Sequence, residues 1–314
     1  MEAHSAETTE KGVRTRRAAI PIGDDLKVVV RRGVMSVGSI LDEFWLPSDS
    51  LPPLESIIRT LRSASGCPDV FTIAERLPAP SLRLDFATEN ESLAVATFSS
   101  YEEWFDKVNR SVRKHIRKAE REGIVVAEAP FNDELVAGIH RVYNEVPVRQ
   151  GRPFWHFGKD LAVVRADNAT FLDRSVFLTA HADGDFVGFL KMVEIEPGVS
   201  ALMQILSTVA HQDRRPTNAL LAKAVEVCAR RGVKQLVYGH YAYGSKESGS
   251  LVDFKQANGF ERVDVPRYFI PLSAVGRVGL KLGLHRPLKD RIPPALRSRL
   301  VSLRARWHAT RGAA

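Results

Sequence analysis

The chain has 314 residues, is 44% hydrophobic and carries a formal net charge of +8. That is enough apolar material for about two domains. No apolar run approaches the ~20 residues that cross a bilayer as a helix, and two cysteines, Cys67 and Cys228, exclude a disulfide framework or a Cys/His zinc spacing.

The charge is uneven. Residues 276–314 hold ten Lys/Arg against one acid, Asp290, so the remainder is close to neutral and the basicity belongs to the tail. In chain order, Met1 to Arg17 is polar with mixed charge and has no apolar segment after its basic residues. It reads as a disordered lead rather than a secretory signal. Residues 18–99 read as a small mixed unit. Leu26 to Arg31 and Val34 to Ile40 have strand character, Pro52 opens a helix with Leu54, Ile57, Ile58 and Leu61 at helical spacing, and Val70 to Ala74 and Leu82 to Phe86 look like strands.

A long helix follows. Ser100 and Glu103 form a capping box, Trp104, Val108, Val112, Ile116 and Ala119 recur at i+4 and i+3, and Gly123 stops it. Its other face carries seven Lys/Arg side chains, an ordinary solvated face or a phosphate-binding one. Ile124 to Ala129 is a strand, and a helix begins near Asn132. Residues 146–158 form an irregular loop before a helix from Lys159 to Asn168. A hairpin turning at Asp183-Gly184 joins Val176–His181 to Phe186–Ile195. Ser200 to Thr208 is a strand, Ala219 to Arg231 a helix, Gln235 to Tyr241 a strand, and a short helix to Asn258 precedes a last strand, Tyr268 to Leu272. Interleaved helices and strands make the class α/β or α+β.

The order hairpin, strand, turn, helix over residues 176–231 resembles the GCN5-related N-acetyltransferases (GNAT). Two further stretches resemble the FemAB-type and BioF2-like branch of that superfamily. These are the helix around Arg113-Lys114-His115-Ile116-Arg117-Lys118-Ala119 and the Phe-Lys-x-x-x-Gly-Phe element at Phe254-Lys255 to Gly259-Phe260. The resemblance covers residues 100–272 as a complete GNAT/FemAB-like domain. It extends more weakly to residues 18–99 as a reduced first copy, and leaves 273–314 as a basic tail. It implies a GNAT-type mixed sheet flanked by helices, in two halves, and an N-acyltransferase. FemAB-type enzymes move an aminoacyl group from tRNA to a peptidoglycan precursor, and BioF2-like relatives acylate other amines. The donor is then acyl-CoA or aminoacyl-tRNA, with no metal, and the acceptor is an amine of a cell-envelope precursor. A coenzyme A-dependent acetyltransferase on a small amine and a non-catalytic membrane- or RNA-associated protein are the alternatives.

By the same resemblance Lys255 stabilises negative charge at the reaction centre. Glu194 stands on the strand that often carries a general base, or is a solvated strand-end carboxylate. His240 and Tyr243 join the catalytic candidates, with Tyr241 beside them; either tyrosine could protonate a leaving group. Arg149 and Trp155, in the loop 146–158, and Gln204 are acceptor-site candidates, with a Trp plugging the core as the plainer alternative for Trp155. Gln212, Arg214, Arg215 and Thr217 stand in the turn that holds the pyrophosphate of coenzyme A in the family, where the pattern is Gln/Arg-x-x-Gly-x-Gly/Ala. Arg215 and Thr217 replace its small residues and oppose close approach of phosphate.

The tail pattern Leu296, Leu300, Leu303 and Trp307, interleaved with arginines, is a basic amphipathic helix. It suits an anionic membrane surface or packs on the body. The expected setting is cytoplasmic, peripheral to the membrane if the tail binds it.

Overall fold

The computed structural model describes residues 4–10, 13–78, 84–242 and 249–286. The first half runs β1 (His4–Glu10), β2 (Val13–Pro21), β3 (Lys27–Arg31), β4 (Val37–Ile40), α1 (Leu54–Ser63), β5 (Val70–Ala74) and β6 (Ala87–Thr97). The second begins with α2 (Tyr101–Lys107), α3 (Arg110–Arg121), β7 (Ile124–Ala129) and α4 (Asp133–Tyr143). A two-strand hairpin, β8 (Val148–Arg149) and β9 (Arg152–Pro153), leads to α5 (Leu161–Asn168). Then come β10 (Ser175–Ala182), β11 (Asp185–Glu196), β12 (Val199–Ser207), α6 (Pro216–Arg230), β13 (Gln235–His240), α7 (Ser250–Ala257), β14 (Glu261–Pro271) and α8 (Ala274–Lys281).

All strands but β8 and β9 join one sheet, in the order β1-β2-β3-β4-β5-β14-β6-β13-β12-β11-β10-β7. The same unit occurs twice. β2, β3 and β4 run antiparallel and β4 crosses through α1 to a parallel β5. Likewise β10, β11 and β12 run antiparallel and β12 crosses through α6 to a parallel β13. Each half lends its closing strand to the other: β6 pairs with β13, and β14 pairs with β5. The two lent strands pair with each other over nine positions, which fuses the halves at the centre. The expected mixed α/β fold, one large sheet flanked by helices and built from two halves, is the one observed.

The last strand starts at Glu261 rather than Tyr268, the loop 146–158 holds the β8–β9 hairpin, and three further elements differ from the sequence reading. Residues 4–21, read mostly as a disordered lead, form the edge hairpin β1–β2. It is held by backbone pairing and by Ala6 and Ala19 packed with Val29, so it needs little apolar content. The strand expected over Leu82–Phe86 falls partly outside the described residues, and the strand found, β6, starts at Ala87. Its first half, ATENES, is polar, yet Ala94, Val95 and Ala96 are buried between two strands. The long helix breaks at Val108–Asn109. Asn109 caps α3 by accepting from Ser111 N (2.9 Å), and its own N–H donates to Ala257 O (2.9 Å). The break keeps the apolar stripe intact, with Trp104, Val108, Val112 and Ile116 all buried against α6.

Candidate functional site

Two backbone irregularities open the sheet of the second half. β12 and β13 pair only over Val199–Ala201 and Gln235–Val237. Beyond that point β12 bulges: Lys191 faces Gln204 while Met192 faces Leu202, so Met203 is the extra residue. β13 bulges as well, between Val237 and His240, where Gly239 sits at φ +58° in the left-handed region that glycine supplies without strain. A bulge bends and twists its strand. The two strands therefore separate toward Ser207 and His240 and leave a cleft at their C-terminal ends.

Lys255 lies at this opening. It is fully buried on α7, donates from Nζ to the His240 carbonyl (2.5 Å), and stands 5.0 Å from the centre of the Tyr238 ring. Burial pulls its pKa down to about 8. The helix ends at Gly259, φ +78°, with Phe260 N donating to Lys255 O (3.0 Å), a six-to-one closure that requires the left-handed residue. The turn is anchored to α2 through Trp104 Nε1, which donates to Asn258 O (3.0 Å). The Phe-Lys-x-x-x-Gly-Phe element is thus a short, capped helix whose lysine is pinned beneath the end of β13.

The fold brings Lys255, His240 and Tyr241 together. The Tyr241 hydroxyl accepts from Gln256 Nε2 (2.7 Å), one residue along α7. Tyr243 lies outside the described residues. Glu194 is not brought to this group. It faces Ser200 across β11–β12, level with the start of β13, at the far end of the sheet. There it lines a separate cavity of about 120 Å³ with Arg174, Met192, Cys228 and Arg231. Glu194 keeps the strand face of Leu190 and Met192, and it is its place along β11, level with the start of β13, that separates it from Lys255. Val187 is an extra residue in β11, since Ala180 faces Gly188 and His181 faces Phe186. Phe186 therefore packs with Phe189 against α4, while Val187, Leu190 and Met192 face α6.

The loop 146–158 closes over β12. Arg149 donates to Ser207 O (2.8 Å) and Val142 O (2.9 Å), pairs with Glu145 Oε2 (3.2 Å), and stacks 4.4 Å from the Phe154 ring. It fixes the loop rather than offering a free guanidinium. Gln204 accepts from the buried Tyr143 hydroxyl (2.7 Å). Trp155 is no core plug: it is 50% exposed, rests on His156, and carries Lys159 Nζ 4.3 Å from its ring centre. His156 beneath it is buried, and burial followed by the charges of Lys159 and Arg149 lowers its pKa to about 3, so it is neutral. Trp155 and Lys159 thus stand together on the outside of this loop, and Gln204 is tied to the helix before it through Tyr143.

The donor turn does not fit coenzyme A in the family manner. Arg215 adopts φ +65°, ψ 37°, the left-handed conformation that favours glycine. Pro216 at the first helical position has no N–H to offer. Thr217 Oγ1 shares a hydrogen bond with Ser207 Oγ (2.9 Å). Arg214 is engaged by Asp183 Oδ2 (2.6 Å) and by the Glu122 carbonyl, and Gln212 is exposed in a single 3-10 turn. Two backbone amides that lead into the turn, Val209 N and Ala210 N, already donate to the Glu145 carboxylate (2.7 and 2.9 Å). A bound pyrophosphate there would meet a fixed negative charge.

Glu145 was not singled out from sequence; a charged residue just past a helix end reads as surface. Its only signal was the i,i+4 spacing to Arg149. Lys191 was also missed. It is buried without a carboxylate partner and donates to the carbonyls of Asn168 (2.9 Å) and Thr170 (2.6 Å), and burial lowers its pKa to about 8. It caps the end of α5 from the sheet. Among the described residues no group of three or more His, Cys, Asp or Glu could hold a metal ion, and no helix is long and apolar enough to cross a membrane.

No protein-family model matches the chain, and no curated protein matches it by sequence. Solved structures do match it in fold. The crystal structure of FemX superposes with a TM-score of 0.56 at 9% identity, over 84% of this chain and 87% of that one. The C-terminal domain of a putative lysylphosphatidylglycerol synthetase from Agrobacterium fabrum gives 0.51 at 11% identity, over 82% and 84%. L-PGS from Bacillus licheniformis gives 0.50 at 12%, over 82% and 83%. The fold implied by the FemAB-type resemblance is therefore the fold of this chain.

Proposed function

We propose that this protein is an N-acyltransferase that moves an acyl or aminoacyl group to an amine of a cell-envelope precursor by direct transfer. The observation that carries the reading is the cleft between β12 and β13 with the Lys255 ammonium fixed at its base. Attack of an amine on an ester or thioester carbonyl builds negative charge on one oxygen, and a positioned cation in a water-poor site is the strongest ordinary aid to that step. Lys255 supplies the charge and the His240 carbonyl holds it in place. Trp155, Gln204 and Lys159 orient the acceptor, and Tyr241 stands close enough to α7 to serve the departing oxygen or sulfur with a proton. Glu194 has no part in this scheme.

Of the two donor classes, aminoacyl-tRNA suits the site better. The Glu145 carboxylate on Val209 and Ala210, Pro216 and the engaged Arg214 all weigh against a pyrophosphate in the turn. The ester end of an aminoacyl-tRNA needs no such cradle, and the exposed basic face of α3 offers its phosphates a surface.

The deciding experiment pairs calorimetry with a transfer assay. Acetyl-CoA is expected not to bind at micromolar concentration. Aminoacyl transfer to a peptidoglycan-precursor amine is expected to proceed and to fall about 10²–10³-fold in Lys255→Ala. Micromolar acetyl-CoA binding would move the protein to the coenzyme A-dependent class. Transfer unchanged by Lys255→Ala would refute the assigned role.

A further inference from the structure

The outer edge of the first half carries an apolar surface that acyl transfer does not use. α8 lies tight against this edge. A Cβ at Gly276 would come within 2.0 Å of the Asp69 backbone oxygen, so only glycine permits the approach there, and Gly279 packs directly on the Met35 side chain. Leu280 and Leu284 complete the contact with Met35, Val70 and Phe269. The opposite face of α8 is apolar too. Val275, Val278 and Leu282, at i, i+3 and i+7, are 55%, 56% and 67% exposed, and Val34, in the turn next to Met35, is 87% exposed. An exposed apolar stripe beside the buried one lacks a partner on its outer side.

The rim of this patch is positive. Arg31, Arg32, Arg277 and Lys281 are exposed, and neither Arg277 nor Lys281 is in an ion pair among the described residues. The neighbouring acids are turned away. Asp69 accepts from Ser36 and Ser273, and Glu89 is held by His285 and Arg286.

We infer that this patch docks on an anionic lipid surface. Charge selects the occupant. The chain's own segment 287–314 carries seven Lys/Arg against one acid and is repelled by the same rim. A second copy would present the same basic rim. A nucleic acid would satisfy the arginines and leave four apolar side chains in water. A bilayer containing acidic headgroups takes both components, apolar side chains at the acyl boundary and basic ones at the phosphates. The basic segment 287–314 follows directly after this helix and adds charge of the right sign. The inference stands whichever acyl donor or acceptor the protein uses.

The test uses the full chain with phosphatidylcholine vesicles, with and without phosphatidylglycerol, in a sedimentation assay. Binding is expected only with phosphatidylglycerol, to weaken as salt is raised, and to fall at least about tenfold in Val278→Asp/Leu282→Asp. Both positions are exposed, so the melting temperature of that variant should match wild type. Absence of binding to phosphatidylglycerol vesicles overturns the proposal. So does binding unaffected by the two aspartates, which would assign the effect to the tail alone. A change of oligomeric state in the variant would make the patch a self-interface instead, and RNA binding abolished by the same substitutions would make it a nucleic-acid surface.

Discussion

The two halves contain one unit built twice, and they use its open end differently. In each, a strand crosses through a helix to a parallel partner and the two pair over three positions: Val37–Ser39 with Val70–Thr72, and Val199–Ala201 with Gln235–Val237. In the first half β4 stops at Ile40 and residues 41–53 fold back onto the second half. Glu43 accepts from Ala74 N (2.8 Å) and pairs with Arg267 (2.9 Å). Ser48 donates to Glu196 from N (2.7 Å) and Oγ (2.9 Å), and Trp45 O accepts from Arg174 (3.0 Å). In the second half β12 runs on past its last pair to Ser207, and both strands bulge apart. The first opening is filled by the protein's own charged groups, save for a pocket of about 140 Å³ lined by Glu43, Glu196, His240 and Arg267, and becomes an interface. The second stays open, with Lys255 at its base. A parallel pair with a crossover helix offers a cleft, and the residues that follow the first strand decide whether it becomes a site.

The most damaging way to break this comparison is at the filled opening. Arg267 is mostly buried between Glu43 and Glu91, and those carboxylates hold its pKa above the usual arginine range. Arg267→Met leaves the buried Glu43 and the partly buried Glu91 without their cation and should cost about 3–5 kcal/mol, read as a lowered melting temperature. Full thermal stability in this variant would mean that the halves hold together without the filled opening.

At the open end, transfer should fall as pH rises through about 8, because Lys255 then loses its proton. Lys255→Arg should hold whatever activity it retains to higher pH, since a guanidinium does not titrate there. An identical pH profile in the two proteins would separate the activity from that ammonium.

The two buried lysines also make a stability prediction. Burial lowers Lys191 and Lys255 to about 8 in the folded protein, below the ordinary lysine value of about 10.4. Between those limits the unfolded chain binds more protons than the native one, so wild-type stability should rise with pH across that window. Lys191→Met should flatten part of the rise in denaturant titrations, while also leaving the Asn168 and Thr170 carbonyls without their donor.

The smallest effect is at the donor turn. Arg215→Gly removes a left-handed non-glycine residue and should stabilise by about 1 kcal/mol. Combined with Thr217→Gly it makes the turn resemble the family pattern. If the side chains alone exclude acetyl-CoA, the double variant should bind it; if Glu145 also excludes it, binding should need Glu145→Gln as well.

Much of this was legible in the sequence because it depends on local chemistry. Period-2 and period-3.6 patterns, the Ser100 cap and the glycines at 123, 184, 232 and 259 mark where elements start, turn and stop. The Phe-Lys-x-x-x-Gly-Phe spacing located Lys255, and the replacement of small residues at 215 and 217 announced a changed turn. The split of the helix at Asn109 was hidden, because its N–H answers to Ala257, far along the chain. β6 was hidden because half of it is polar and its strand character comes from neighbours on both sides.

Local pattern thus determined most of the elements and the α/β class, and the resemblance carried by the Phe-Lys-x-x-x-Gly-Phe element pointed to Lys255. Only the tertiary structure decided that β6 and β14 are exchanged between the halves and that Glu194 stands at the opposite end of the strand pair from Lys255. It also decided that Glu145 occupies the turn amides. Each of these rests on register or on a pairing between residues far apart in sequence. A single inserted bulge residue reverses a strand face without leaving a mark in the local pattern.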